Sequence, residues 1–272
     1  MQEITTLNFD DVELSPGDVN LEELPKDLQY KFKKRKEEID HYFNRLGQLE
    51  AQLYNLENLR RNSITTQELE IYNNTLKEYE YLKNNSLEAV GLTLISGGFD
   101  TNIETMSVKG DASVPKPTLL YDNDMKMYVL GGSWKWNKYA DFNSSGGDDG
   151  FGLRVEQESI SIIEHGFNTY NFAGKKATPT VYPKISSYGL GFTFQDKMTG
   201  SAYNAASGKG WIYMKFYNGT PVKKTVNISS VYSHTWGSTK VNGFSVGPYA
   251  FGLSWTSGTN YWEITNYNAI KF

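Results

Sequence analysis

The chain predicts an α+β multidomain protein: an N-terminal antiparallel helical hairpin followed by an antiparallel β-sandwich of jelly-roll type. Two observations carry that prediction. The apolar period changes from about 3.6 to 2 near residue 90. The chain is also rich in aromatics (14%, with 19 Tyr and 6 Trp) and in Gly (25), the composition of short strands joined by polar turns. The expected division is an acidic extended arm over 1–24, the hairpin over 25–88, and the sandwich over 89–272.

Residues 1–27 hold eight acids and one lysine, and Ser15-Pro-Gly17 is a turn signal, so the start reads as an extended or partly disordered arm. Pro25 and Asp27 open the first helix, expected over about 26–60. Leu28, Phe32, Ile39, Tyr42, Leu46, Leu49, Leu53 and Leu56 form a heptad seam, interrupted only by Arg35. A helix of about 32 residues reaches roughly 48 Å, long for the surface of a small β domain. It breaks at Arg60-Arg-Asn-Ser63. Thr65 and Glu68 then make a capping box, and Ile64 with Leu69 a hydrophobic staple. Leu69, Tyr72, Leu76 and Tyr79 continue the stripe to Asn84-Asn85-Ser86, giving a second helix over about 66–84. The hairpin needs a cover for its wet side: the β body, a second copy, or another protein.

Strands are expected at 91–95, 125–136, 150–155, 159–164, 180–185, 190–195, 251–255 and 261–265. Asn218-Gly219 and Asn242-Gly243 read as type I′ hairpin turns, since both central residues of that turn need positive φ. Phe151-Gly-Leu-Arg-Val155, Leu190-Gly-Phe-Thr-Phe194 and Phe251-Gly-Leu-Ser-Trp255 repeat one pattern, whose glycine implies a facing backbone or a bulge.

Without cysteine there are no disulfides, thiolate metal sites or cysteine nucleophile. Net charge is −4, and the β segment is only weakly basic, which argues against nucleic acid as a partner. No apolar run reaches the roughly 20 residues of a transmembrane span. The first residues lack the basic and apolar regions of a signal peptide, and the expectation is that a signal has been trimmed away. No Gly-x-Ser-x-Gly elbow, phosphate loop or dinucleotide fingerprint is present.

Aromatic alternation supplies the binding candidates. Trp211, Tyr213 and Tyr217 share one strand face, and Trp134 and Trp136 another; each set is either core or a platform for stacking on sugar rings. Tyr232 and His234 join Trp236 on a third face. Asp141, Asn143, Asp148 and Asp149 form the densest run of oxygen donors. With Asp122, Asn123 and Asp124 they suggest calcium as a cofactor, although a plain solvated turn has the same composition. Glu156 and Glu158 are the one carboxylate pair a glycan hydrolase could use.

Gly131-Gly-Ser-Trp-Lys-Trp136, Asp148-Asp-Gly-Phe-Gly-Leu153, Gly191-Phe-Thr-Phe-Gln-Asp-Lys197 and Ser233-His-Thr-Trp236 resemble secreted β-rich proteins of Gram-positive spore-forming bacteria. That resemblance covers roughly half of the chain; it implies export and a β-rich domain and carries no activity. The expected function is a secreted, non-enzymatic binding protein of the cell envelope or extracellular space. Its β domain would contact a glycan or cell surface, and its hairpin would mediate self-association or bind a protein partner. The alternatives are a membrane-inserting toxin, using the Ser- and Thr-rich alternation of 177–235, and a glycan-active hydrolase.

Overall fold

The computed structural model describes residues 9, 12–62, 65–97, 106–109, 112–136, 147–177, 179–196, 198–199, 202–256 and 260–272. It is mostly β, with several antiparallel sheets and a long helix. In chain order the elements are β1 (Gly17–Asp18), α1 (Lys26–Asn62), α2 (Thr66–Ala89), β2 (Leu92–Ser96), β3 (Met106–Lys109), β4 (Ala112–Pro115), β5 (Thr118–Asp122) and β6 (Met127–Trp136). There follow β7 (Asp148–Val155), β8 (Ile160–Tyr170), β9 (Lys176–Ala177), β10 (Val181–Ser186), β11 (Gly189–Gln195), β12 (Met198–Thr199) and β13 (Ala202–Tyr203). The last are β14 (Ser207–Phe216), β15 (Thr225–Thr235), β16 (Val241–Val246), β17 (Phe251–Trp255) and β18 (Tyr261–Lys271).

Two sheets dominate. A nine-stranded sheet is built around β8, β14 and β6, and a five-stranded sheet runs β10-β11-β7-β15-β18. Their facing sides share one apolar cluster, with Leu130, Trp134, Ile212 and Met214 from the first and Phe151, Leu153, Phe192 and Tyr232 from the second.

The other side of the nine-stranded sheet is covered by α1. Met127, Val129, Trp211 and Tyr213 share a second cluster with Phe32, Ile39, Phe43 and Leu46. Both faces of β14 are therefore buried, one by a sheet and one by a helix. This explains how a single strand can carry large rings on both sides.

The two helices make paired contacts whose numbering runs in opposite directions. Tyr42 Oη donates to the Leu82 carbonyl (3.4 Å), Arg45 pairs with Glu78 (2.6 Å), and Tyr79 Oη donates to Glu50 (3.3 Å). Thr65 and Glu68 form the expected capping box: the Glu68 amide donates to Thr65 Oγ1 (3.2 Å) and the Thr65 amide to Glu68 Oε2 (2.8 Å). Ile64 lies outside the described residues. The second helix runs on through Asn84-Asn85-Ser86 to Ala89, because Leu87 is buried and the chain turns only at Gly91, where φ is +69°.

Arg35, the polar break in the seam, is buried. Its Nε donates to Asp122 Oδ2 (2.7 Å), its Nη1 to Glu38 (2.9 Å) and its Nη2 to the Val90 carbonyl. One guanidinium thus ties α1 to the β5–β6 turn and to the end of α2. The acidic arm, where described, is docked rather than loose. Phe9 packs edge-on to Phe32 (5.7 Å), Lys215 Nζ donates to the Phe9 carbonyl (3.0 Å), and β1 pairs in parallel with β8.

Neither Asn-Gly pair turns a hairpin. Strand β14 has β8 on one edge and β6 on the other, so no edge remains for the strand after Asn218-Gly219; the chain crosses instead to the five-stranded sheet as β15. Asn242-Gly243 lies inside β16 at a register shift, and the turn to β17 comes at 247–250, where the Gly247 amide donates to the Ala250 carbonyl (2.9 Å). Two of the three repeated glycines admit a ring, whereas Gly252 faces Ser245. Gly152 and Gly191 are cross-strand partners, and a Cβ on either would lie within 2.5 Å of the Phe244 ring. Phe244 with Val241 and Val246 caps the outer side of the five-stranded sheet.

Candidate functional site

Most of the aromatic candidates are core. Trp134, Trp136, Trp211, Tyr213 and Tyr232 are at most 1% exposed, and His234 is 2% exposed. Tyr217, just beyond β14, is exposed but stands apart from the rings expected beside it. The platform reading of Trp211 and Tyr213 fails because α1 lies over them: Trp211 Nε1 and Tyr213 Oη both donate to Asp40 Oδ1, at 2.8 and 2.6 Å. Trp134 fails for a different reason, being stacked on Tyr232 across the inter-sheet core (5.0 Å, 9°). Its neighbour Trp136 donates from Nε1 to Tyr232 Oη (3.1 Å).

The described residues assemble no loop calcium site from the expected acids. Asp141 and Asn143 lie outside the described residues. Asp148 and Asp149 are consecutive on β7 and so point to opposite faces, with Asp149 fully buried. The Asp122 carboxylate serves Arg35 and the amides of Asp124 and Met125 (2.9 and 3.0 Å). Glu156 and Glu158 follow the end of β7 and are held by cations, Arg154 at 2.6 Å and Lys224 respectively. Their partners give them structural work at a strand end, and His41 is exposed on α1.

What the fold does assemble is a buried group from three adjacent strands. Continuing the Ser233↔Gly150 register sets His234 opposite Asp149, while Asp196 follows β11 on the other side of β7. Donor atoms of Asp149, Asp196 and His234 all lie within 4.8 Å of one another. His234 Nδ1 is 3.0 Å from Asp149 Oδ2 and 4.0 Å from Asp196 Oδ2. Tyr232 Oη donates to Asp149 Oδ2 (2.7 Å), the Thr235 amide to Asp149 Oδ1 (2.9 Å), and Tyr203 Oη to Asp196 Oδ2 (2.6 Å). Rings close the group in: Trp136 meets the imidazole edge-on at 4.8 Å, Trp262 lies at 5.4 Å, and Trp236 stacks at 5.8 Å.

Burial dominates the electrostatics here. Desolvation first, then the charge of Asp149, pushes the Asp196 carboxyl up to about 8. Desolvation likewise raises the Tyr203 and Tyr232 hydroxyls well above the usual phenol range. An acid and an imidazole this deeply enclosed cannot reach a macromolecular substrate, so the group's available chemistry is holding protons or an ion.

Sequence reasoning placed Asp149 and His234 in separate groups and missed Asp196. A signal existed: Asp196 is in phase with inward-facing Phe192 and Phe194, and Asp149 with Phe151 and Leu153. An acid in the apolar phase of a strand requires a partner in the core.

At the surface, a different aromatic group is presented. Trp255 and Tyr261 stack with centroids 4.1 Å apart and planes 20° from parallel. Tyr261 is 41% exposed and Trp255 is half-buried. Half-buried Trp236 adjoins them through its amide, which donates to the Asn260 carbonyl (3.1 Å). Lys240, Thr256 and Asn260 supply polar groups nearby, with the Lys240 amide donating to Thr256 Oγ1 (2.9 Å). Among the described residues no helix is long and apolar enough to cross a membrane.

No protein-family model matches the chain, and no curated protein matches it. One solved structure similar in part, titled "pH-induced modulation of Streptococcus parasanguinis adhesion by Fap1 fimbriae", is 11% identical over 68% of this chain and 92% of that one, with a TM-score of 0.28. A likeness at that level carries no argument about this chain.

Proposed function

We propose that this protein is a non-enzymatic binding protein of the cell envelope or extracellular space, and that its β domain contacts a glycan through the Trp255–Tyr261 face. The observation that carries the reading is the stacked ring pair at the surface, rimmed by Asn260, Thr256 and Lys240. Planar rings offer apolar contact to the C–H face of a sugar, and the rim offers hydrogen bonds to its hydroxyls. Burial of the Asp149–Asp196–His234 group supports a non-enzymatic role. The cysteine-free, Tyr-rich composition supports an exterior location.

In this reading the β domain is a sandwich and the helices form a hairpin braced on it. The seam of α1 is occupied by the protein's own sheet, so self-association or a protein partner would use α2, whose Leu69, Ile71 and Tyr81 are exposed.

The test is co-sedimentation of the purified protein with isolated bacterial cell walls, with liposomes in parallel. The comparison is a Trp255→Ala/Tyr261→Ala variant shown to be folded by circular dichroism. Wall binding that falls at least about tenfold in the variant supports the glycan face, since stacked aromatic contacts are worth about 1 kcal/mol or more each. Binding indifferent to the substitution, or partition to liposomes alone, overturns it.

A further inference from the structure

We propose that Asp149, Asp196 and His234 form a site for one divalent transition-metal ion, of which zinc is the representative. The site is independent of the proposed glycan face. Three features of the geometry carry it: the mutual distances, the donor set and the balance of charge.

A tetrahedral zinc ion with bonds of about 2.0–2.1 Å needs donor atoms roughly 3.3–3.4 Å apart. The observed separations from His234 Nδ1, 3.0 Å to Asp149 and 4.0 Å to Asp196, bracket that value. Small side-chain shifts would bring all three donors to ligand distance. Asp196 Oδ1 is buried and makes no hydrogen bond among the described residues, so the carboxylate has a second oxygen to turn toward an ion, and the fourth tetrahedral position would fall to a water molecule.

The donor set is two carboxylates and one imidazole, which suits zinc and its first-row neighbours. Calcium takes six to eight oxygen ligands, more than this enclosed group provides. The carboxylates are also oriented from outside: Tyr232 and Tyr203 donate to their Oδ2 atoms and the Thr235 amide to Asp149 Oδ1. Such second contacts fix metal ligands in direction and favour the ionised carboxylate that binds an ion.

Charge points the same way. Two carboxylate ligands match the charge of one dication, so a bound ion would be charge-balanced within a core of Trp and Phe rings. Binding would require a neutral imidazole and two carboxylates, with any protons they hold released to solvent. All three residues sit within two positions of a strand end, where local opening gives an ion its path.

The experiment uses the full chain, stripped with EDTA and checked for fold by circular dichroism. Zn²⁺, Co²⁺ and Ca²⁺ are titrated separately while bound metal and thermal unfolding are followed. The expected result is about one equivalent of Zn²⁺ or Co²⁺ retained after desalting, a raised Tm, and visible absorption from the cobalt form. Asp196→Asn should abolish both retention and the Tm shift. Tyr203→Phe should weaken binding about 10- to 100-fold, as loss of an outer contact does; it carries the test if Asp196→Asn fails to fold. No retained metal and no Tm shift in the wild type would overturn the proposal. So would stabilisation by Ca²⁺ alone, or unchanged zinc binding in a folded Asp196→Asn or Tyr203→Phe protein.

Discussion

Asp122 and Asp149 are both fully buried carboxylates, and they are stabilised in opposite ways. Asp122 receives a permanent cation: Arg35 reaches it from α1 at 2.7 Å, and two turn amides complete its shell. Asp149 instead faces a second acid and an imidazole, with hydroxyls from Tyr203 and Tyr232 around them. The first arrangement is complete within the chain and acts as a structural pin between helix and sheet. In the second, desolvation and then the charge of Asp149 push the Asp196 carboxyl up to about 8, and the closeness of the three donor groups is why a metal ion is the partner proposed for it. A buried acid that is fully paired reads as architecture, whereas one left short of a counter-charge directs attention to a ligand.

The comparison breaks most decisively at Arg35. Arg35→Met leaves Asp122 buried without its cation and should cost about 3–5 kcal/mol, read as a lower denaturant midpoint. The double variant Arg35→Met/Asp122→Asn should recover much of that loss, because it strands no charge and keeps an acceptor for the Asp124 and Met125 amides. A single variant as stable as the wild type would show that the pair does not pin α1 to the sheet.

Asp40 is an intermediate case, half-buried beside Lys36 and accepting from Trp211 and Tyr213. Tyr213→Phe removes one charge-assisted hydrogen bond and should cost about 1.5–3 kcal/mol by urea unfolding. A smaller effect would mean that apolar contact with Phe32 and Phe43, not Asp40, holds α1 on β14.

In metal-free protein, Asp196→Asn should behave differently from any change at Arg35. It removes a carboxyl whose ionised form burial penalises while keeping an acceptor for Tyr203, so stability should hold or rise by about 1 kcal/mol. A large loss would place Asp196 with Asp122, as a completed structural contact. The smallest effect is expected at the surface: Tyr261→Ala should change stability by about 0.5 kcal/mol or less while weakening wall binding. A drop of several kcal/mol there would make the Trp255–Tyr261 stack a structural contact.

Several of these elements were visible in one dimension. The seam of α1 was readable because an apolar residue every three or four positions leaves little choice of face, and the Thr65–Glu68 box marked the next helix start by its own hydrogen bonds. Strands such as 251–255 were readable because alternation and turn residues are local properties. The Asn-Gly turns misled because local turn preference yields when both edges of β14 are already paired. The rings of β14 misled because alternation says that two faces are apolar without saying what covers them. Asp149, Asp196 and His234 meet only through the register of three strands whose members are nearly forty residues or more apart in the chain.

By itself the sequence determined the helix periods, the β character beyond residue 90 and the caps, since each depends on neighbours a few residues away. The tertiary structure alone decided that α1 covers β14, that Phe244 fills the slot over Gly152 and Gly191, and that two acids and a histidine share one buried group. Those outcomes depend on which strand edges remain free and on which distant side chains can exclude water together.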